Sequence, residues 1–382
     1  MSCESAPVTL HYHLLAKPAG AACNLRCEYC FFLSKEELYP SGKSLMDEVM
    51  LEEYIRQLMR SSAGPEVHLA WQGGEPLLRG IEFFRRSVEL ARRYLRPGQR
   101  VVHSVQTNGS LIDDEGAAFF RENDYLVGLS MDGPRALHDT YRSDKQGRGT
   151  FDDVLRAWRT LRRHEVDVNI LCAVHARNGT HPLEVYRFFR DELDARYLQF
   201  IPVVERASAV ADDQTVTTRS VKAEQFGSFL IAIFDEWLKR DVGRVFVITF
   251  DVALGSWLGQ HHACVVAPTC GGSPILMHTG DVYACDHFVA PAFRLGNIRD
   301  SKLEDLLGSQ QQRRFGRRKY DTLPRYCKEC PVLFACYGEC PRNRFIHSPD
   351  GEPGLNYLCA GYRAFLTHID QPMRRMVSAL QQ

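Results

Sequence analysis

The sequence predicts an α/β protein, an open, partial (β/α)6 barrel of the TIM-like kind followed by a smaller cysteine-rich domain. Three observations carry this expectation. From residue 11 to about 239, short apolar runs without strict alternation recur between amphipathic stretches, as buried parallel strands and their covering helices do. Six such units can be counted, fewer than the eight that close a full barrel. Beyond residue 251 the alternation stops, glycine becomes frequent, and eight of the thirteen cysteines lie at or after Cys264.

The strands are expected at residues 11–16, 67–71, 100–106, 125–130, 166–174 and 197–204. The first ends at a Lys17-Pro18-Ala19-Gly20 break, and the second at Gly73-Gly74 followed by Pro76, which stops a strand ladder. Helices are expected at 44–59, 81–94, 113–122, 150–164, 182–193 and 221–239. Repeated units of this kind place a site at the strand C-terminal ends. Residues 205–220 are polar, and 207–216 show no periodicity, so they read as a surface loop over the barrel mouth or a lid.

At 382 residues the chain exceeds one ordinary core. Two domains follow, 8–240 for the barrel and 241–382 for the cysteine-rich part. Lysine plus arginine equals aspartate plus glutamate at 47 each, so no overall field draws the protein to nucleic acid or an anionic membrane. The run Arg313, Arg314, Arg317, Arg318, Lys319 is one basic patch, of a kind that on a helix is usually a solvated face. No apolar stretch reaches the roughly 18 residues that cross a bilayer, and no export signal opens the chain. A cytoplasmic location is expected, where thiols stay reduced and serve metals or catalysis.

The first of these thiol groups is compact. Cys23, Cys27 and Cys30 let one short loop present three thiolates at a strand end. An iron-sulfur cube normally takes four cysteines, so three leave one iron open to a substrate or cofactor. Structural zinc usually pairs one C-x2-C with another, and this loop holds no fourth ligand. In Gln72-Gly73-Gly74-Glu75-Pro76, two glycines let backbone approach a ligand closely. Polar or open backbone follows other strands too, at Gln106-Thr107-Asn108-Gly109, Ser130-Met131-Asp132-Gly133-Pro134 and Val203-Val204. Eight further cysteines, Cys264, Cys270, Cys285, Cys327, Cys330, Cys336, Cys340 and Cys359, make two sets of four. By spacing alone, zinc fills such sets as well as iron-sulfur does. Cys3 and Cys172 are assigned no role.

The three-cysteine spacing, with the aromatic Tyr29 before the last cysteine, resembles that of the radical S-adenosylmethionine enzymes. The C-terminal array resembles a SPASM domain, a module that holds two auxiliary iron-sulfur clusters. Residues 70–76 and 126–134, Cys285-Asp286-His287-Phe288 and Arg294-Leu295-Gly296-Asn297-Ile298 together resemble the anaerobic sulfatase-maturating enzymes.

That resemblance implies oxidation of a cysteine or serine in a sulfatase motif to Cα-formylglycine, a two-electron step. It implies S-adenosyl-L-methionine and three 4Fe-4S clusters, one of them on Cys23, Cys27 and Cys30. Interleaved ligation would put a second on Cys264, Cys270, Cys285 and Cys340, and a third on Cys327, Cys330, Cys336 and Cys359. Cofactor contacts would come from Tyr29, Gly73, Gly74, Glu75, Ser130, Arg142 and Val204, and Gln72 would line the substrate pocket. Asp286 matches the family's proposed base, against the plainer reading of a carboxylate orienting the nearby cluster; His287 is a weaker proton-transfer candidate. The implied partners are an unfolded or nascent sulfatase polypeptide and an external low-potential electron donor such as flavodoxin or ferredoxin, with no nucleic acid and no membrane. The alternative within the same architecture is a SPASM maturase that crosslinks or epimerises a ribosomal peptide.

Overall fold

The computed structural model describes residues 13–39, 45–208 and 213–381. The expected barrel start at residue 8, the strand start at 11, the helix start at 44, Cys3 and the middle of the 207–216 loop lie outside those residues.

Six parallel strands form the expected barrel wall: β1 (Leu15–Lys17), β2 (Glu66–Trp71), β3 (Arg100–Thr107), β4 (Leu126–Ser130), β5 (Asp167–Val174) and β6 (Tyr197–Pro202). They pair in chain order. A two-residue strand, β7 (Phe246–Val247), adds to the β6 edge in parallel. At the other edge β1 pairs with β8 (Ile275–Met277), followed by the antiparallel β9 (Asp281–Tyr283) and β10 (Arg294–Asn297). The sheet therefore ends at β10 and β7 and stays open. The expected division at 240/241 falls just after the helix Ala223–Arg240, but one sheet runs across it.

The helices cover the strands as their amphipathic pattern requires. Helix Glu48–Ser61 buries Leu51, Tyr54, Ile55 and Leu58 on one stripe, and its first turn is capped by the Asp47 carboxylate, which accepts from Met50 N at 2.7 Å. Tyr54, Phe83 and Phe84 pack edge-on around Trp71, filling the space between two helices and β2. The expected helix at 182–193 is α-helical only over Pro182–Arg187 and continues as a π turn over Phe188–Glu192. The C-terminal helix Cys359–Leu380 crosses Ala223–Arg240 at a glycine contact, Gly227 against Gly361, where no side chain has room.

The polar loop after β6 is tied down. Ala207 N donates to Thr215 O, Thr217 N donates to Glu205 O, and His347 N donates to Gln214 Oε1 at 3.0 Å. Its arm thus bridges the barrel mouth to the cysteine-rich region. Among the described residues, no helix is long and apolar enough to cross a membrane.

Candidate active site

The three-cysteine loop leaves the C-terminal end of β1 and is fixed from two sides. On one side, Arg26 N donates to Ser143 O and Glu28 N to Tyr141 O, so the segment after β4 holds the loop's middle. On the other, Gly74 N donates to Gly20 O and Glu75 N to Ala22 O, at 2.9 and 2.8 Å. A Cβ at Gly74 would lie 2.0 Å from Ala22 O. The glycine is therefore required by backbone packed on backbone, one residue before Cys23. This is a different reason from the ligand approach expected of it.

Glu75 is fully buried. Its carboxylate accepts from Thr107 Oγ1, Asn108 N and Leu77 N at 2.8, 2.8 and 2.9 Å, tying the end of β2 to the end of β3. Burial pushes its pKa up to about 7 against those three donors. With three acceptor positions spent on protein, little of the carboxylate is left for a cofactor amine.

Tyr29 and Arg142 converge on Asp132, which is completely buried. Arg142 Nε donates to Asp132 Oδ2 at 2.9 Å, the Tyr29 hydroxyl donates to the same oxygen, and Ala173 N donates to Oδ1 at 2.9 Å. Burial, the largest single influence, raises the Asp132 pKa, but Arg142, His138 and His175 together outweigh it, and the net shift is downward. The guanidinium also lies over the Tyr29 ring, 5.5 Å from its centroid, with Nη1 4.0 Å from Cys27 Sγ. Arg142 is thus a buried cation beside the cysteine loop. Asp132 carries no expected role, although its Ser-Met-Asp-Gly-Pro setting had marked the strand end. Ser130 closes β4 with a hydroxyl that bonds to none of the described residues, and Val204 is buried just past β6.

Lys17 is the residue that sequence reasoning passed over, reading it as part of a chain break. It ends β1 with its side chain 1% exposed, and its Nζ is 2.6 Å from Asp286 Oδ1. The same Nζ donates to Gln72 Oε1 at 2.8 Å, and Gln72 Nε2 donates to Gln106. A lysine closing an apolar strand is the signal that marked it, because such a charge is rarely buried without a partner. Lys17 Nζ also sits over the Phe32 ring at 4.4 Å, while Phe31 meets His287 edge-on at 5.5 Å and takes the Arg342 guanidinium at 4.6 Å. The two residues after Cys30 therefore join the loop to the region that holds Asp286.

His287 faces the other way. Its Nδ1 is 3.2 Å from Cys340 Sγ, and burial lowers its pKa to about 4. The ring is thus engaged with Cys340, whereas the Asp286 carboxylate meets Lys17 at the end of β1.

Electrostatic influence links the thiols in three groups. Cys23 is raised by burial to about 11 and feels Cys27 and Cys30; Cys27 is also raised by burial. Burial likewise pushes Cys285 up to about 12, and it feels Cys264 and Cys270; Cys340 is raised and feels Cys285 and Cys270. Separately, Cys336 goes up to about 12 with Cys359 and Cys327 beside it, and Cys359 feels Cys327 and Cys330. Buried thiols that repel one another's ionised forms are what a cationic centre relieves. Among the described residues no three His, Cys, Asp or Glu side chains converge on a single metal ion. Cys172 is a buried core residue. A cavity of about 390 Å³ lies at the opposite end of the barrel, lined by Arg196, Tyr197, Arg244 and Phe246 at the starts of β6 and β7.

Comparison with known proteins agrees with this layout. The Radical SAM superfamily model matches residues 18–189, and the SPASM model, an iron-sulfur cluster-binding domain, matches residues 270–331. The serine-type anaerobic sulfatase-maturating enzyme of Bacteroides thetaiotaomicron is 43% identical over 377 residues, 95% of this chain and 91% of the relative. This chain belongs to the anaerobic sulfatase-maturating enzymes. The cysteine-type sulfatase-maturating enzyme of Clostridium perfringens (strain 13 / Type A) is 35% identical over 360 residues, 93% of this chain and 95% of that one. The solved structure of native anSMEcpe with bound AdoMet and Cp18Cys peptide superposes with a TM-score of 0.86 at 32% identity, covering 96% and 99% of the two chains. Streptococcus suis SuiB bound to precursor peptide SuiA shares the fold alone, with a TM-score of 0.64 at 17% identity, covering 92% and 76%. As a member of the sulfatase-maturating family, the chain is a radical S-adenosylmethionine oxidoreductase that uses three 4Fe-4S clusters.

Proposed function

We propose that this chain oxidises a cysteine or serine in a sulfatase active-site motif to Cα-formylglycine, with Asp286 as the base. The Lys17–Asp286 pair carries the reading. It lies between the loop of Cys23, Cys27 and Cys30 and the set that includes Cys285 and Cys340, where hydrogen-atom removal and electron departure meet. Cys264 and Cys270 complete that second set, and Cys327, Cys330, Cys336 and Cys359 form the third. Residues 8–240 then serve the radical step and residues 241–382 the electron-accepting one.

When bound at the three-cysteine loop, S-adenosyl-L-methionine supplies the radical that takes a hydrogen atom from the substrate β-carbon. The protein's residues do the rest. Lys17 holds Asp286 Oδ1 and leaves Oδ2 to take the proton from the substrate thiol or hydroxyl. Gln72, fixed between Lys17 and Gln106, lines the pocket beside that carboxylate. With one hydrogen atom, one proton and one electron removed, serine becomes the aldehyde. Cysteine becomes a thioaldehyde, which water hydrolyses with loss of sulfide. Gly73, Gly74, Ser130, Arg142 and Val204, with Tyr29, would hold the cofactor. The role of Glu75 is mainly to fix the motif against β3, and the substrate polypeptide enters across the mouth bridged by residues 205–220. A low-potential carrier such as flavodoxin or ferredoxin supplies the starting electron.

The test is mass spectrometry of a sulfatase-motif peptide, in cysteine and serine versions, incubated anaerobically with reconstituted protein, dithionite and S-adenosyl-L-methionine. A formylglycine mass together with 5'-deoxyadenosine is the expected result. Deoxyadenosine with no modified peptide would move the reading to another peptide substrate.

A further inference from the structure

The helix Gln310–Asp321 has two faces that point to one use. Its inner face is built into the thiol set of Cys264, Cys270, Cys285 and Cys340. Cys270 N donates to Gly316 O at 3.1 Å, and a Cβ on Gly316 would come within 2.7 Å of Cys270 O. Gln312 Nε2 donates to Gly271 O and to Ala284 O at 3.0 and 3.1 Å, and the buried Lys319 Nζ donates to Cys264 O and Val265 O. The backbone beside three of the four cysteines is thus held by Gln312, Gly316 and Lys319, one stripe of this helix.

The opposite stripe carries Arg313, Arg314, Arg317 and Arg318, all exposed. Among the described residues none of the four makes an ion pair, and the helix has a single carboxylate, Asp321, at its last position. Elsewhere on the surface arginines are regularly paired, as Arg85 is with Glu115, Arg135 with Asp152 and Arg163 with Asp114. In a chain whose charges balance at 47 against 47, four neighbouring unpaired guanidinium groups make a local positive field. One helix diameter, about 10 Å, separates that field from the thiols.

Building on the function proposed above, we infer that this arginine face docks a small acidic protein that carries one electron and takes up the electron released by each substrate oxidation. One electron passes from the centre held by Cys264, Cys270, Cys285 and Cys340 to the oxidised carrier, with no bond made or broken. A positive patch against an acidic partner steers encounter and fixes register, and its contribution falls as salt rises. The covering helix itself shortens the route, because its inner face is the wall of the thiol set.

The probe is a purified, oxidised flavodoxin with an acidic surface, titrated onto the reconstituted full chain at 50 and 300 mM salt. Wild type should bind at least tenfold more weakly at the higher salt. The fourfold variant R313E/R314E/R317E/R318E should bind at least tenfold more weakly at 50 mM, while R196E/R244E, at the far end of the barrel, should bind as wild type does. Iron content and dithionite-driven formylglycine yield should stay unchanged in the fourfold variant, since dithionite needs no docking surface. Should charge reversal disturb folding, the fourfold glutamine variant must show the same loss. Unaltered flavodoxin affinity in a well-folded variant would overturn the proposal, as would loss of affinity for an oligonucleotide or the sulfatase peptide alone. Failure of the dithionite reaction in wild type would instead count against formylglycine formation and leave the docking result standing on its own.

Discussion

At the residue scale, the consequential group is a lysine whose charge is taken out of water. Lys17 is stabilised by Asp286, Gln72 and the face of Phe32. Removing one partner of a buried pair leaves the other uncompensated, at a cost of several kcal/mol. Lys17→Met should therefore lower stability by about 3 kcal/mol in denaturant unfolding, and adding Asp286→Asn should recover part of that loss rather than add to it. A second residue sets a pH response away from the chemistry. His103 in β3 is 9% exposed, stacks on Tyr125 at 4.8 Å, and is lowered by burial to about 4. Between that value and the ordinary 6.5, the unfolded chain binds the proton and the folded chain does not, so stability falls as pH falls through this window. His103→Phe keeps the stack and removes the titration. From pH 7 to pH 5 the variant should lose about 2 kcal/mol less stability than wild type, as read from urea midpoints at the two pH values.

Among elements, the junction of the β2 end with the cysteine loop would, on the proposed ligation, decide whether the first cluster can form. Gly74→Ala would force backbone apart where Ala22 O now lies 2.0 Å from the added Cβ. The iron content of the reconstituted variant should fall by about one third, with the two C-terminal sets retained; a full complement of iron would show that the loop tolerates the shift. The strands and helices were legible because buried parallel strands read as apolar runs and their helices as amphipathic stretches. Helix Ile81–Tyr94 lies where the pattern puts it, and β3 extends one residue beyond expectation. The short strands β7 to β10 were not legible. At two to four residues each, they carry too little period to register, and β8 owes its strand conformation to the neighbouring β1. The two cysteine-bearing families were legible because cysteine spacing and residue type mark them. Lys17 and Asp132 were not, because burial and partnership arise only when β1, β4 and the Cys285 turn come together.

For the whole molecule, the continuous sheet makes the barrel and the cysteine-rich region one framework. β1 carries the three-cysteine loop at its end and pairs on one side with β2 and on the other with β8. Lys17 at the end of β1 meets Asp286, one residue past Cys285. On the proposed function, hydrogen-atom removal and electron departure would be held in register by this backbone pairing. The measurement that tests this account most directly counts 5'-deoxyadenosine and formylglycine in the same reaction for wild type, Asp286→Asn and Cys27→Ala. Asp286→Asn should still release deoxyadenosine while formylglycine falls by about 100-fold or more, the usual worth of a general base, and Cys27→Ala should abolish both. Full formylglycine yield from Asp286→Asn would contradict the assignment of the base and, with it, the role given to the Lys17–Asp286 pair.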